Sequence, residues 1–427
     1  MLHSTREYQM SRNMNTRRSL YIICLLLLSA VGNKLDAQTV VKPVRQQNDS
    51  TNHALIHQIG FDVRPGYVAP TNSFLEGDNA QRQKIDRSLS LHLKYAFQFS
   101  KDSYLGRLYP HAYQGIGVSH NTFYNSAELG NPVAVYAFQG APIVRLSSCL
   151  SLDYEWNFGA SFGWKQYDEH SNWYNDAIGS KINAYINLGF VLNWQFYPQW
   201  KLAAGVDFTH FSNGNTRYPN GGLNTIGGRV GIVRTFNAED KASGAIAPKR
   251  LYIKPHVSYD LLVYGATRKR GFVKEGIPTL VPGSFGIVGL NFAPMYNLGY
   301  KFRVGASLDG VYDGSANVYR EDVIVEYGSS SSKREFLKPG IQHQLALGLS
   351  GRAEYVMPYF TIGVGMGANV LSRGDMRGFY QILALKIAVT RSSFLHIGYN
   401  LQNFQTPNYL MLGLGFRFHN KYPKVRH

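Results

Sequence analysis

From about residue 57 onward, apolar and polar positions alternate with period two in runs of ten or more, each closed by a turn. In 183–197, Ala184, Ile186, Leu188, Phe190, Leu192, Trp194 and Phe196 share one face. Asn183, Tyr185, Asn187, Gly189, Asn193 and Gln195 fill most of the other, as a pleated strand requires. Strands of soluble sandwiches usually run to about five or six residues. Alternation this long, with so broad an apolar face, fits a strand that meets lipid. About sixteen such segments can be read, near 57–68, 86–100, 112–121, 132–146, 149–165, 183–197, 199–211, 222–236, 250–265, 282–295, 299–313, 340–356, 358–371, 378–390, 393–403 and 408–418.

The connections alternate short and long in most places. Tyr197-Pro198-Gln199, Met357-Pro358 and Arg391-Ser392-Ser393 are tight, whereas 166–182, 212–222, 266–281 and 314–339 are long. Short periplasmic turns and long external loops characterise outer-membrane barrels, and closure satisfies every backbone group within the lipid. The pattern therefore predicts an all-β chain, an antiparallel outer-membrane β-barrel protein of about 16 strands with both termini in the periplasm. Leu202–Phe208 is echoed by Leu395–Leu401, which suggests two eight-strand units. The expected organisation is a signal peptide at 1–37, an N-terminal segment at 38–56, a first unit at 57–237, a linker or turn at 238–249 and a second unit at 250–420. Alternation leaves one large barrel and two small ones equally open. Inward positions of 358–371 (Tyr359, Thr361, Gly363, Gly365, Gly367 and Asn369) are mostly small and uncharged, which favours a packed lumen over a wide pore.

Composition narrows the class further. The only long apolar run, Leu20–Gly32, is thirteen residues and too short to span a bilayer as a helix, so a polytopic helical protein is excluded. Arg12, Arg17 and Arg18 precede it and Leu35-Asp36-Ala37 follows, the layout of an export signal. Aromatic residues make up 14% of the chain and charged residues only 17%, which excludes disorder for most of it. Cleavage after Ala37 removes five Lys/Arg and two Asp/Glu, lowering the net charge from +17 to +14. That balance suits phosphorylated lipid headgroups, and export argues against nucleic acid as a partner. Cys24 leaves with the signal, so Cys149 remains alone and no intramolecular disulfide is expected.

The candidate chemistry lies at the end of the seventh segment, Asp207-Phe208-Thr209-His210-Phe211-Ser212-Asn213-Gly214. Period two puts His210 and Ser212 on the lipid face with Trp200, Leu202, Ala204, Val206 and Phe208. Asn224 shares the apolar face of the next strand with Ile226, Val230 and Ile232. Polar groups facing lipid are costly and point to function. A hydroxyl beside an imidazole can be activated as a nucleophile, and an amide can orient the imidazole. Asn213, Asn220, Gly214, Gly221 and Gly222 can offer donors to an oxyanion. Ser-Asn-Gly is equally ordinary turn composition, so a plain turn is the competing reading. Asp207 points to the opposite face and is read as a lumen residue. Gly363-Val364-Gly365-Met366-Gly367 lies within a strand pattern with no helix after it, so no phosphate loop is expected. The thirteen His show no zinc-ligand spacing, and no metal site is expected.

His210-Phe211-Ser212-Asn213, followed by Pro219-Asn220-Gly221-Gly222-Leu223, resembles the motif of PagL-type lipid A 3-O-deacylases, acyloxyacyl hydrolase-like outer-membrane esterases. That resemblance implies an eight-stranded barrel with a lipid-facing His-Ser-Glu triad at its last two strands. It covers roughly 57–237 in layout and is specific across 205–232. The family's Glu falls at Asn224, a departure. The site is also similar to outer-membrane phospholipase A, with His-x-Ser-Asn-Gly and an Asn fourteen residues beyond the His, the spacing of His210 and Asn224. Both resemblances imply serine esterase chemistry on membrane lipid: Ser212 as nucleophile, His210 as base and Asn224 orienting it, with Asn220, Asn213 and Gly214 near the oxyanion. The deacylase-like reading implies lipid A as substrate and no cofactor. The phospholipase-like alternative implies a calcium-dependent homodimer. A third reading, a passive channel or structural barrel, would place its polar residues in the lumen, so the face taken by His210 and Ser212 separates the classes. Aligning Gly205 with Gly398 sets Asn403 against His210 and Gln405 against Ser212, which makes the second unit catalytically silent, since amides do not titrate near neutrality.

Overall fold

The computed structural model describes residues 55–101, 103–236, 251–269, 271–274, 277–281, 283–322, 334–337, 339–404 and 406–425. The expected signal (1–37), nearly all of 38–56, the 238–249 linker and Gln405 lie outside the described residues. Alternation resolves first into β1 (Ile56–Val68), β2 (Arg87–Gln98), β3 (Tyr113–Thr122), β4 (Gly130–Arg145), β5 (Leu150–Trp164), β6 (Ile182–Tyr197), β7 (Trp200–Ser212) and β8 (Leu223–Phe236). These eight pair antiparallel in sequence order, and β8 closes on β1 from Phe236 opposite His57 to Thr225 opposite Val68.

The second half begins with β9 (Leu251–Tyr252) and β10 (His256–Arg268), then β11 (Gly271–Lys274), β12 (Ile277–Leu280), β13 (Phe285–Asn297) and β14 (Phe302–Asp313). It continues through β15 (Tyr319–Asp322), β16 (Arg334–Leu337), β17 (Leu345–Val356), β18 (Phe360–Leu371), β19 (Phe379–Ala388), β20 (Ser393–Gln402), β21 (Thr406–Phe418) and β22 (Lys424–Val425). Strands β10, β13, β14, β17, β18, β19, β20 and β21 form a second closed barrel. The architecture is thus two eight-stranded barrels, which settles the question that alternation left open. Two local expectations are corrected. The segment read as 250–265 starts its barrel strand only at His256, after Pro255, which has no N–H for a ladder; β9 instead pairs with β22. The stretches 266–281 and 314–339, read as loops, carry the ribbons β11–β12 and β15–β16.

Both lumens are filled. In the first barrel Arg229 forks onto Asp207 (2.6 and 2.9 Å) and reaches Glu155 (2.7 Å), while Arg64 and Lys94 each hold Asp62 at 2.8 Å. In the second, Asp260 meets Arg303 and Lys386 at 2.8 Å and Arg417 at 2.9 Å, and Glu354 pairs with Arg303 at 2.6 Å. Charges removed from water persist only when so compensated. Asp62 and Asp260 occupy first strands and Arg229 and Arg417 last strands, so the echo seen in the sequence extends to the lumens. The glycines of β18 leave room for lumen side chains: a Cβ on Gly363 would meet Glu354 Cγ at 3.3 Å, and one on Gly365 would meet Arg352 Cδ at 2.9 Å. Above the first ion cluster sits an aromatic core of Phe123, Trp164, Tyr185, Phe211, Tyr136 and Phe138.

Outward residues stay largely exposed, as a lipid-facing band should: Leu188 is 49% and Val230 64% exposed. Trp156 on β5 faces outward yet is only 6% exposed, because it packs edge-on against Phe360 of the second barrel with centroids 5.0 Å apart. Met357 and Leu385 complete that contact.

Candidate active site

The pleat positions the site from beneath. Asp207 and Phe211 point into the first lumen, where Asp207 is locked by Arg229 and Phe211 packs against Trp164 (5.1 Å), Tyr185 (5.4 Å) and Phe123 (5.9 Å). Phe211 is 1% exposed, so the residues on either side of it have little freedom to turn. His210 and Ser212 are consequently held on the outer face, in line with Phe208, which is 45% exposed. Leu223, fully buried, anchors Asn224 in the same way on β8.

Register then brings the partners together. His210 lies directly opposite Asn224 in the β7–β8 ladder, and His210 Nδ1 is 2.6 Å from Asn224 Oδ1. Amide oxygen accepts only, so Nδ1 carries the proton and Nε2 is left as the basic nitrogen. Ser212 pairs across the sheet with Ala184 and is itself buried, at 8% exposure. Among the described residues no hydrogen bond joins Ser212 Oγ to the imidazole; the ring's side-chain bond is the one to Asn224. Gly222 bounds the site from the loop side. It has φ +70°, and a Cβ there would meet His210 Cε1 at 3.2 Å, Phe211 O at 3.3 Å and Ser212 Cβ at 3.8 Å.

The loop 213–222 is tied by its own amides. Asn213 N–H donates to Asn220 Oδ1 at 2.9 Å, and Asn220 Nδ2 donates to Asn215 Oδ1 at 3.0 Å. Asn213's main-chain N–H is therefore committed, and one hydrogen of Asn220 Nδ2 remains. Among the described residues, the side-chain Nδ2 of Asn213 is buried without a partner, a donor directly after the serine. Sequence reading missed Asn215, Tyr399, Asn408 and Leu410, which border this loop. No local signal marks the last three, because they come from the other barrel.

Two family models match the chain. Lipid A 3-O-deacylase (PagL) matches residues 87–233, from β2 to β8, and the acyloxyacyl hydrolase C-terminal domain matches 257–420, together most of the chain. The chain belongs to the PagL family. As a PagL-family member it is a carboxylic ester hydrolase of the Gram-negative outer membrane. No curated protein matches it. Among solved structures it is similar to the outer membrane protein Omp33 of Acinetobacter baumannii, at 9% identity, covering 85% of this chain and 98% of that one with a TM-score of 0.16. It is also similar to the siderophore receptor PirA of Pseudomonas aeruginosa, at 9% identity, covering 85% and 80% with a TM-score of 0.21.

Proposed function

We propose that this PagL-family chain hydrolyses an acyl ester of lipid A, with Ser212 as nucleophile, His210 as general base and acid, and Asn224 orienting His210. The observation that carries this reading is the 2.6 Å bond from His210 Nδ1 to Asn224 on the outer face of the barrel, two residues before the serine. Nε2 takes the Ser212 proton as Oγ attacks the acyl carbonyl. The tetrahedral oxyanion is stabilised by Asn213 Nδ2, the spare hydrogen of Asn220 and main-chain N–H groups near Gly214. As the acyl carbon–sugar oxygen bond breaks, His210 protonates the departing oxygen, which leaves as the sugar hydroxyl; His210 then activates water to hydrolyse the Ser212 acyl ester and release the fatty acid. Lipid A, which occupies the outer leaflet, is reached from the long-loop rim where this site lies. The reaction draws on no cofactor. A passive channel is disfavoured because the polar pair faces outward and the lumens are filled by ion pairs.

Mass spectrometry of membrane lipids with and without the protein tests the reading. Wild type should release fatty acid from lipid A, whereas Ser212→Ala and His210→Ala should lose about 10³-fold or more in rate while remaining folded. Near-normal release by Ser212→Ala would overturn the nucleophile assignment. Retention of activity in chelator is expected; a loss restored by calcium, with glycerophospholipid as the cleaved lipid, would instead favour the phospholipase-like reading.

A further inference from the structure

The loop that follows Ser212 is held from outside its own barrel. Gly214 has φ +62° and lies against β20 and β21: a Cβ on it would meet Leu410 Cβ at 3.1 Å and Tyr399 Cε2 at 3.6 Å. The next residue, Asn215, is bonded across the same gap. Its Nδ2 donates to Asn408 O at 3.4 Å, and its own carbonyl accepts from Lys269 N–H at 3.4 Å. Each bond is long, yet two of them converge on one residue in a left-handed conformation (φ +63°).

The second barrel's side of this contact is rigidly supported. Arg268 bonds both the side-chain and main-chain oxygens of Asn408. It is itself fixed by Ser315 Oγ at 2.7 Å and Asp313 at 2.9 Å. Asn408 Nδ2 donates to Asn400 Oδ1 at 2.9 Å, so the residue is held from both sides. On the first barrel's side, Asn215 Oδ1 accepts from Asn220 Nδ2, and Asn220 Oδ1 accepts from Asn213 N–H. An unbroken series of polar contacts thus runs from Asp313 to the residue after the serine.

We propose that the second barrel positions the oxyanion side of the active site: Asn215, clamped by Asn408 and Lys269, and Gly214, seated on Leu410 and Tyr399, hold Asn213 and Asn220 at the distance the tetrahedral oxyanion needs. The proposal rests on Ser212 being the nucleophile. It gives the second barrel, which contributes no reacting group, a role in turnover. Loops are the least constrained part of a small barrel, and a misplacement of about 1 Å at a reacting centre can cost about a hundredfold in rate. A second rigid wall removes that freedom. Asn215, Leu410 and Asn408 are positioning residues in this scheme.

The test uses the full chain in detergent micelles, with a soluble p-nitrophenyl ester and with lipid A. Asn215→Gly, which deletes the side chain at a conformation glycine accepts, and Leu410→Ala, which keeps Cβ but removes the Cδ1 side of the seat of Gly214, should each lower kcat about tenfold to a hundredfold on both substrates. KM for the soluble ester should stay nearly unchanged, and the heat-modifiable gel shift of the folded barrels should persist. Leu410→Met should restore most of the rate, and Leu412→Ala, which alters a lipid-exposed neighbour on β21, should behave as wild type. Wild-type kcat in both Asn215→Gly and Leu410→Ala would overturn the proposal. So would a loss that merely tracks disappearance of the gel shift, which would mark a structural role. Ser212→Ala is measured alongside. If that variant remains active, it is the nucleophile reading that fails, independently of the behaviour of the second barrel.

Discussion

At Asn224 the chain departs from the carboxylate that the PagL motif carries, and the structure shows what the amide does in its place. Its oxygen fixes the His210 tautomer through the 2.6 Å bond, but it brings no negative charge to offset the imidazolium that the proposed mechanism requires. Asn224→Ala should therefore reduce kcat strongly, since the ring loses its orientation. Asn224→Glu should be tolerated or faster. The pH–rate profiles of the two variants check this: a carboxylate raises the ring's affinity for a proton, so the rising limb in Asn224→Glu should move to higher pH than in the parent. An unchanged rate in Asn224→Ala would leave His210 without the partner argued for it. The residue types at this site were legible in the sequence because a histidine and a serine two apart fall on one face of any strand. Their neighbours in space were only partly so. Pairing of His210 with Asn224 follows from a short hairpin-like register, whereas the burial of Asn213 Nδ2 depends on how the whole loop packs.

At the level of the element, β7 works as a lever with its two faces doing different jobs. Asp207 and Phe211 are gripped by the lumen, and that grip presents His210 and Ser212 outward. The β8 entry is equally constrained, since Gly222 occupies a left-handed conformation that L side chains rarely adopt, with His210 Cε1 and Phe211 O close by. Gly222→Ala should push the imidazole out of line and lower kcat by about tenfold or more, while the barrel still folds. Kinetics on the purified variant, beside its gel shift, checks the expectation; a normal kcat would show that the ring tolerates displacement. Strand positions were nearly all legible from alternation, because period two with a buried and a lipid face leaves little choice of register. The exceptions have local causes. Pro255 delays β10, and the ribbons β11–β12 and β15–β16 rise from sequences without a lipid face, so the alternation rule says nothing about them.

For the whole molecule, the pairing of β8 with β1 means that the first barrel needs no strand from the second to satisfy its backbone. A fragment spanning 38–245 should therefore refold into a heat-modifiable barrel. It should hydrolyse ester more slowly than the full chain, because Asn215 and Gly214 lose the wall they rest on. Joint replacement Asn403→Ala and Gln405→Ala should leave turnover unchanged in the full chain. Asn403 sits at φ +52° in the turn after β20, with its Oδ1 accepting from Phe379 N–H, so it offers no group comparable to His210. A fragment that cannot refold would contradict independent closure, and lost activity in the double variant would place chemistry in the second half.

By itself the sequence determined that this chain crosses the outer membrane with about sixteen strands, that its halves repeat, and that a His-Ser pair stands on the lipid face beside Asn224. These follow from period two and from motif spacing, which are local properties of the chain. Only the tertiary structure decided that the strands close as two barrels, since any alternating strand can pair with any other until the ladders are made. Only it showed that buried ion pairs fill the lumens, because a charge on an inward face does not reveal its partner. Contact between the loop after Ser212 and Asn408, Leu410 and Tyr399 is likewise invisible in the sequence. Those residues stand almost two hundred positions away, and only the packing of one closed barrel against another brings them to the site.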